Sequence, residues 1–153
     1  NYLLGQAKEK NKDFQTAAFY YETALNNSSW HEMANDARMR MGNSFYEAAK
    51  SSKQADLYKK AETAFQEVRN ADGASIEVKA ESSFMMGECR REIKDWGAAG
   101  FYYLETTLTF PSSQKWVPKS FEQAIRCYEQ AGLVDQISGI EKQYADWQRN
   151  YSE

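Results

Sequence analysis

One segment of this chain occurs twice. Lys12-Asp13-Phe14-Gln15-Thr16-Ala17-Ala18-Phe19-Tyr20-Tyr21 returns as Lys94-Asp95-Trp96-Gly97-Ala98-Ala99-Gly100-Phe101-Tyr102-Tyr103. An apolar residue and a glycine precede each copy at the same offset, Leu4-Gly5 and Met86-Gly87, with 12 positions from Gly5 to Ala17 and 12 from Gly87 to Ala99. Matching residue types at matching offsets mean one packing unit used more than once. Such units bury their faces on one another, and proteins built from them mostly bind other chains.

The unit is helical. Phe14, Ala17, Ala18, Tyr21, Ala24 and Leu25 recur at the spacing of one helix face. Asn11-Lys12-Asp13 before them and Asn26-Asn27-Ser28-Ser29 after them favour turns. The chain has only two prolines and eight glycines, which suits long regular elements.

The same reading gives four helix pairs in a single domain, at about 1–28, 29–73, 75–111 and 115–150. Ser29, with Glu32 three residues on, is the expected N-cap of the second pair. The polar stretch Lys50-Ser51-Ser52-Lys53-Gln54 divides that pair. Phe110-Pro111-Ser112-Ser113 closes the third pair, because proline cannot continue a helix. Gly132 marks the turn of the fourth. From Gly42 to Ala61 is 19 positions, seven more than in the other pairs, so longer helices or an enlarged turn are expected there. The opening at Asn1, already inside a helical pattern, reads as a piece of a longer protein.

Gly5, Gly42 and Gly87 stand inside helices, where each costs roughly 0.5–1 kcal/mol against alanine. Close approach of the facing helix is the expected reason. Ala17, Ala61 and Ala99 would be the small partners, with Tyr21, Phe65 and Tyr103 filling the gap towards the next pair.

An apolar residue with glycine, then Ala-x-x-x-aromatic twelve residues on, then a proline stop, resembles the tetratricopeptide repeat. Leu4-Gly5…Ala17-x-x-x-Tyr21 and Met86-Gly87…Ala99-x-x-x-Tyr103…Pro111 carry the resemblance best. Met41-Gly42…Ala61-x-x-x-Phe65 is a looped-out copy, and the one around Phe121, Ala124, Ile125 and Tyr128 is degenerate. The sequence departs from the family where Arg38 and Ser83 fill the early tryptophan slot and Lys8 and Arg90 the later tyrosine slot. The loose spacing and the Phe110–Ser113 turn look similar to divergent repeats of bacterial envelope proteins.

The resemblance implies an all-α, right-handed α-solenoid of about four antiparallel helix pairs. It also implies that the first helix of each pair lines a concave groove. Tyr2, Gln6, Met39, Asn43, Tyr46, Phe84, Glu88, Arg91, Glu122 and Arg126 would then be exposed there, to bind a peptide or partner helix. In the repeated Phe-Tyr-Tyr, three adjacent residues cannot all face one core. Tyr21 and Tyr103 should point inward, and Phe19 and Phe101 elsewhere.

The charge of −3 makes nucleic acid a poor partner. No apolar run is long enough to span a membrane, and no signal peptide is evident at the start. Cys89 and Cys127 read as small buried side chains. The single histidine, His31, has no second histidine to form a metal pair and no recognisable nucleophile spacing. No phosphate-binding glycine motif is present. The expectation is a non-catalytic interaction scaffold without cofactor or metal, with self-association as a second mode. The alternative is an accessory or regulatory domain of a larger enzyme or a cell-envelope assembly.

Overall fold

A computed structural model describes residues 1–27 and 33–152. The described residues are helical, with no strand among them. The helices are α1 (Tyr2–Lys10), α2 (Phe14–Asn27), α3 (Ala34–Ser52), α4 (Ala55–Arg69), α5 (Ile76–Glu92), α6 (Trp96–Thr109), α7 (Trp116–Gln130) and α8 (Ile137–Asn150). A short 3-10 turn, Val134–Gln136, leads into α8. The chain forms two compact units, Asn1–Ala74 and Ser75–Glu153. Within each, every helix packs on the next in sequence, an arrangement compatible with an α-solenoid. No helix among the described residues is long and apolar enough to cross a membrane.

In the first unit, α1, α2 and α3 meet around Tyr2, Ala17, Tyr21 and Ala37, with Met41 packed against them. The extra seven residues between Gly42 and Ala61 are helical. Helix α3 runs ten residues past Gly42, where α1 and α5 run five past their glycines. Helix α4 leads Ala61 by six residues, where α2 and α6 lead their alanines by three. The turn is the shorter for it. The polar stretch from Lys50 is therefore helical as far as Ser52, and only Lys53 and Gln54 link the helices. Ser51 and Ser52 donate their hydroxyls to the carbonyls of Glu47 and Ala48 one turn back. The expected Ser29–Glu32 cap lies outside the described residues.

In the second unit, Phe84, Ala99, Tyr103, Ala124 and Cys127 form one cluster across α5, α6 and α7. Val117, Phe121, Ile140 and Trp147 form another between α7 and α8. Ser75 caps α5, accepting from the Val78 amide at 3.2 Å. Asp95 caps α6, accepting from the Ala98 amide at 3.3 Å. Trp147 Nε1 donates to the Pro111 carbonyl at 2.6 Å, tying α8 to the proline stop after α6.

The turns show the same repetition. Lys12 and Lys94 adopt left-handed backbone, with φ of 60° and 62°. The Asp13 amide donates to the Lys8 carbonyl and the Asp95 amide to the Arg90 carbonyl, both at 2.9 Å. This is the helix stop in which the second residue past the end bonds back to the last turn. Gly132 (φ 76°) makes the same stop after α7, with the Leu133 amide on the Tyr128 carbonyl at 2.9 Å. Glycine suits such a position, whereas lysine is strained there by roughly 1–2 kcal/mol. Lys94→Gly should therefore raise stability by about 0.5–1 kcal/mol after allowing for glycine's freer unfolded chain. Urea unfolding checks this: a raised midpoint is expected, and a lowered one contradicts the turn geometry.

Candidate functional site

Counted from Gly132 as the other turns count from theirs, Ile125 takes the glycine slot of the fourth first-type helix. The residues three positions before the slot are Tyr2, Met39, Phe84 and Glu122; those one position after it are Gln6, Asn43, Glu88 and Arg126.

The structure separates these two rows. Tyr2, Met39 and Phe84 are buried, not exposed. The Tyr2 ring meets Tyr21 at 5.7 Å and the Phe84 ring meets Tyr103 at 5.3 Å, so this row completes the core. Tyr46, four after Gly42, is also buried, with its ring 5.8 Å from Tyr58. These four expectations of exposure are corrected: aromatic packing buries Tyr2, Tyr46 and Phe84, and Met39 is buried as well. Gln6, Asn43, Glu88 and Arg91 are partly covered, while Glu122 and Arg126 are exposed.

The glycines have a different neighbour from the one expected. A Cβ at Gly5 would lie 2.6 Å from Tyr21 Cε1, one at Gly42 2.6 Å from Phe65 Cε1, and one at Gly87 2.6 Å from Tyr103 Cε1. The ring four residues after each alanine occupies the notch, not the alanine. Gly100 makes a further notch, for Tyr128 of α7, whose Cε1 would lie 2.8 Å from an added Cβ.

Two of those rings end in buried hydroxyls, and each finds a carboxylate. Tyr21 donates to Glu9 at 2.5 Å and Tyr103 to Glu88 at 2.6 Å. Phe65 has no hydroxyl, and its facing helix carries Asn43 and Tyr46 at the corresponding slots, so ring hydroxyl and acid come and go together. Burial first, and then the adjacent carboxylate, raise both hydroxyls above the usual tyrosine range.

Arginine completes each network. Arg40 reaches Glu9 at 3.0 Å and Asp36 at 2.9 Å, and Asp36 accepts in turn from the Tyr2 hydroxyl. Arg91 reaches Glu88 at 2.8 Å and Glu92 at 3.3 Å. The bond to Glu88 is the main cause that raises Arg91. Arg40 is raised too, burial opposing and Asp36 and Glu9 prevailing. Burial pushes the nearby Cys127 thiol up to about 11, which disfavours the reactive thiolate. Both cysteines are buried and neither is in a disulfide. The Tyr21–Glu9, Arg40–Glu9, Tyr2–Asp36 and Tyr103–Glu88 contacts each tie one helix to another.

The sequence reading missed the pairing of the tyrosine-slot cations. Lys8 bonds Asp13 at 3.3 Å and Arg90 bonds Asp95 at 3.2 Å, each five residues on. The recurrence of a cation five residues before the turn aspartate was the available signal.

Outward, both copies present the same aromatic ledge. Phe19 and Phe101 are each 60% exposed. Phe19 meets Tyr20 edge-on at 5.7 Å and 65°, and Phe101 meets Tyr102 at 5.7 Å and 66°. A basic aromatic patch lies at the start of α7, where Lys115 and Lys119 stand 4.7 and 4.9 Å from the Trp116 ring centre. Glu81 near them is raised by burial in spite of both lysines. Among the described residues, no group of three His, Cys, Asp or Glu is placed to hold a metal ion; His31 lies outside them.

No protein-family model matches this chain, and no curated protein matches it.

Proposed function

We propose that the chain is a non-catalytic protein-interaction scaffold, with its helices arranged as four antiparallel pairs of a right-handed solenoid of tetratricopeptide type. The observation that carries this reading is the repeated ledge. A single exposed aromatic is ordinary on a protein surface. Two phenylalanines equally exposed, at the same position of a repeated unit and with the same ring neighbour, are what a recognition surface built by repetition presents. Aromatic side chains supply large contact area at little entropic cost, which is why they anchor interfaces. Gln6 and Asn43 in the first unit, and Glu122 and Arg126 in the second, are the expected groove residues left accessible for a peptide or partner helix.

The test is a photo-crosslinking phenylalanine analogue placed at Phe101 in the native host. A protein captured there should bind the purified chain and lose at least roughly tenfold in affinity with Phe101→Ser, as expected for truncating an interface anchor. Unchanged affinity of that protein for Phe101→Ser, or capture no greater than at exposed Glu141 of α8, would count against the ledge.

A further inference from the structure

A glycine notch filled by an aromatic ring is how this chain packs helix on helix. Every buried glycine within a described helix receives one: Gly5 receives Tyr21, Gly42 Phe65, Gly87 Tyr103 and Gly100 Tyr128. Gly97 receives none. It is exposed in the first turn of α6, its φ is not positive, and nothing lies within 4 Å of an added Cβ. Neither backbone geometry nor internal packing accounts for a glycine there, and glycine weakens a helix. One turn on stands Phe101, a ring 60% exposed. Residues four apart share a helix face, so α6 turns a notch and a ring to solvent side by side.

The first copy shows that this pair is not a by-product of repetition. Where α6 has Gly97, Phe101 and Leu108, the matching slots of α2 hold Gln15, Phe19 and Asn26. All six residues are exposed. Both helices therefore present the ring, but only α6 sets it in an apolar stripe with a small residue one turn before it. Nor is this face the vacant end of a stack, because α5 and α7, the sequence neighbours of α6, both pack on that helix.

We propose that the outer face of α6 pairs with the same face of a second copy of this chain, so that Phe101 of each copy enters the Gly97 notch of the other. The proposal rests on the reading of the Phe101 ledge as a recognition surface and names the partner. A two-fold contact has to be self-complementary. A notch and a ring on one helix meet that condition, since in an antiparallel pair with its axis level with Ala99 position 97 faces position 101 and position 101 faces 97. A different protein would have to supply a matching notch and ring, whereas a second α6 already carries both. The charges agree with the pairing. Glu105 is the sole charged residue of α6, so like charges are not opposed along the helix, and it falls beside the exposed Lys94 that precedes α6 in the other copy.

One helix against one helix buries less than a permanent dimer needs, so a Kd of roughly 100 μM is expected. The chain is then a monomer at the low micromolar concentrations used for unfolding. Sedimentation equilibrium of the 153-residue protein from about 10 μM to about 1 mM should show the mass rising from one chain towards two. Phe101→Ser should weaken the dimer by roughly tenfold or more, and so should Gly97→Gln, which installs the residue of the first copy and fills the notch. Phe19→Ser should leave it unchanged. Far-UV circular dichroism and urea midpoints matching the unsubstituted chain separate these losses from misfolding. In a mixture of isotope-labelled and unlabelled chains, a photo-crosslinking phenylalanine analogue at Phe101 should join the two at the segment around Gly97.

The proposal is overturned by a mass that stays at one chain throughout, by a dimer that Phe101→Ser or Gly97→Gln leaves intact, or by crosslinks between copies that fall outside the start of α6. A monomeric chain whose Phe101 captures a different protein in the host, with affinity lost in Phe101→Ser, would remove the second copy and sustain the ledge. A monomeric chain with no capture at Phe101 would remove both.

Discussion

Tyr103→Ala should cost about 3–5 kcal/mol of stability, while Phe101→Ala, two residues away in the same helix, should cost less than about 0.5 kcal/mol. Tyr103 is fully buried, fills the notch over Gly87 and packs against Phe84. Removing it leaves a ring-sized cavity and takes away the tyrosine bond to Glu88. Phe101 has most of its surface in water and touches chiefly Tyr102. A domain's whole stability is about 5–15 kcal/mol, so the first variant should fall by roughly 10 °C in melting temperature and the second should be indistinguishable from the unsubstituted chain. Tyr103→Phe separates the two parts of the effect. It keeps the ring and loses only the hydroxyl bond, for about 1 kcal/mol. Equal losses for Tyr103→Ala and Phe101→Ala in urea unfolding would mean the repeated Phe-Tyr-Tyr is not divided into an inner and an outer residue.

Gly87→Ala should also destabilise, although alanine is the better helix former by roughly 1 kcal/mol. The new Cβ would arrive 2.6 Å from Tyr103 Cε1 and 2.7 Å from its Cδ1, far inside van der Waals contact. The ring has little room to retreat, being fully buried and hydrogen-bonded at its far end. A net loss of about 1–3 kcal/mol is expected from overpacking. Gly97, with nothing within 4 Å of an added Cβ, is the internal control. Gly97→Ala in the first turn of α6 should be neutral or slightly stabilising. A chain that gained stability from Gly87→Ala as it does from Gly97→Ala would show that the notch is not filled as described.

Much of this architecture could be read in the sequence, because packing in a repeated unit leaves residues at fixed offsets. The Gly-to-Ala spacing of 12, the inward Tyr21 and Tyr103, and the outward Phe19 and Phe101 all follow from helical periodicity applied to two copies. What faces each glycine did not follow. Spacing along one helix says which residues share a face, but not which of two residues one turn apart lies over a notch on another helix. The ring takes the notch because an alanine there would leave space that a tyrosine fills.

The surface was harder to read than the core. Tyr2, Met39 and Phe84 were placed in a groove by resemblance, yet all three occupy one slot, three residues before the glycine. An apolar residue at one slot in three helices is a core pattern, and it was present in the sequence. Glu122 at the fourth copy of that slot is the exception, a charged residue that stays exposed. Glu88 and Arg91 are expected in the exposed groove, and the structure leaves both partly covered. Their commitment to Tyr103 depends on the rotation of α5 against α6, which no spacing within α5 reveals.

The central claim is that one unit, a helical glycine receiving an aromatic ring from the following helix, is used repeatedly to build this chain. A double-mutant cycle on Gly87 and Tyr103 tests it most directly, using Gly87→Ala, Tyr103→Leu and the pair, with the same cycle at Gly5 and Tyr21. Leucine shortens the ring away from the notch, so the alanine should then be accommodated. The account predicts that Gly87→Ala becomes neutral or favourable in the Tyr103→Leu background, a coupling of about 1–3 kcal/mol, and that the Gly5–Tyr21 cycle has the same sign. Additive losses in both cycles would contradict it.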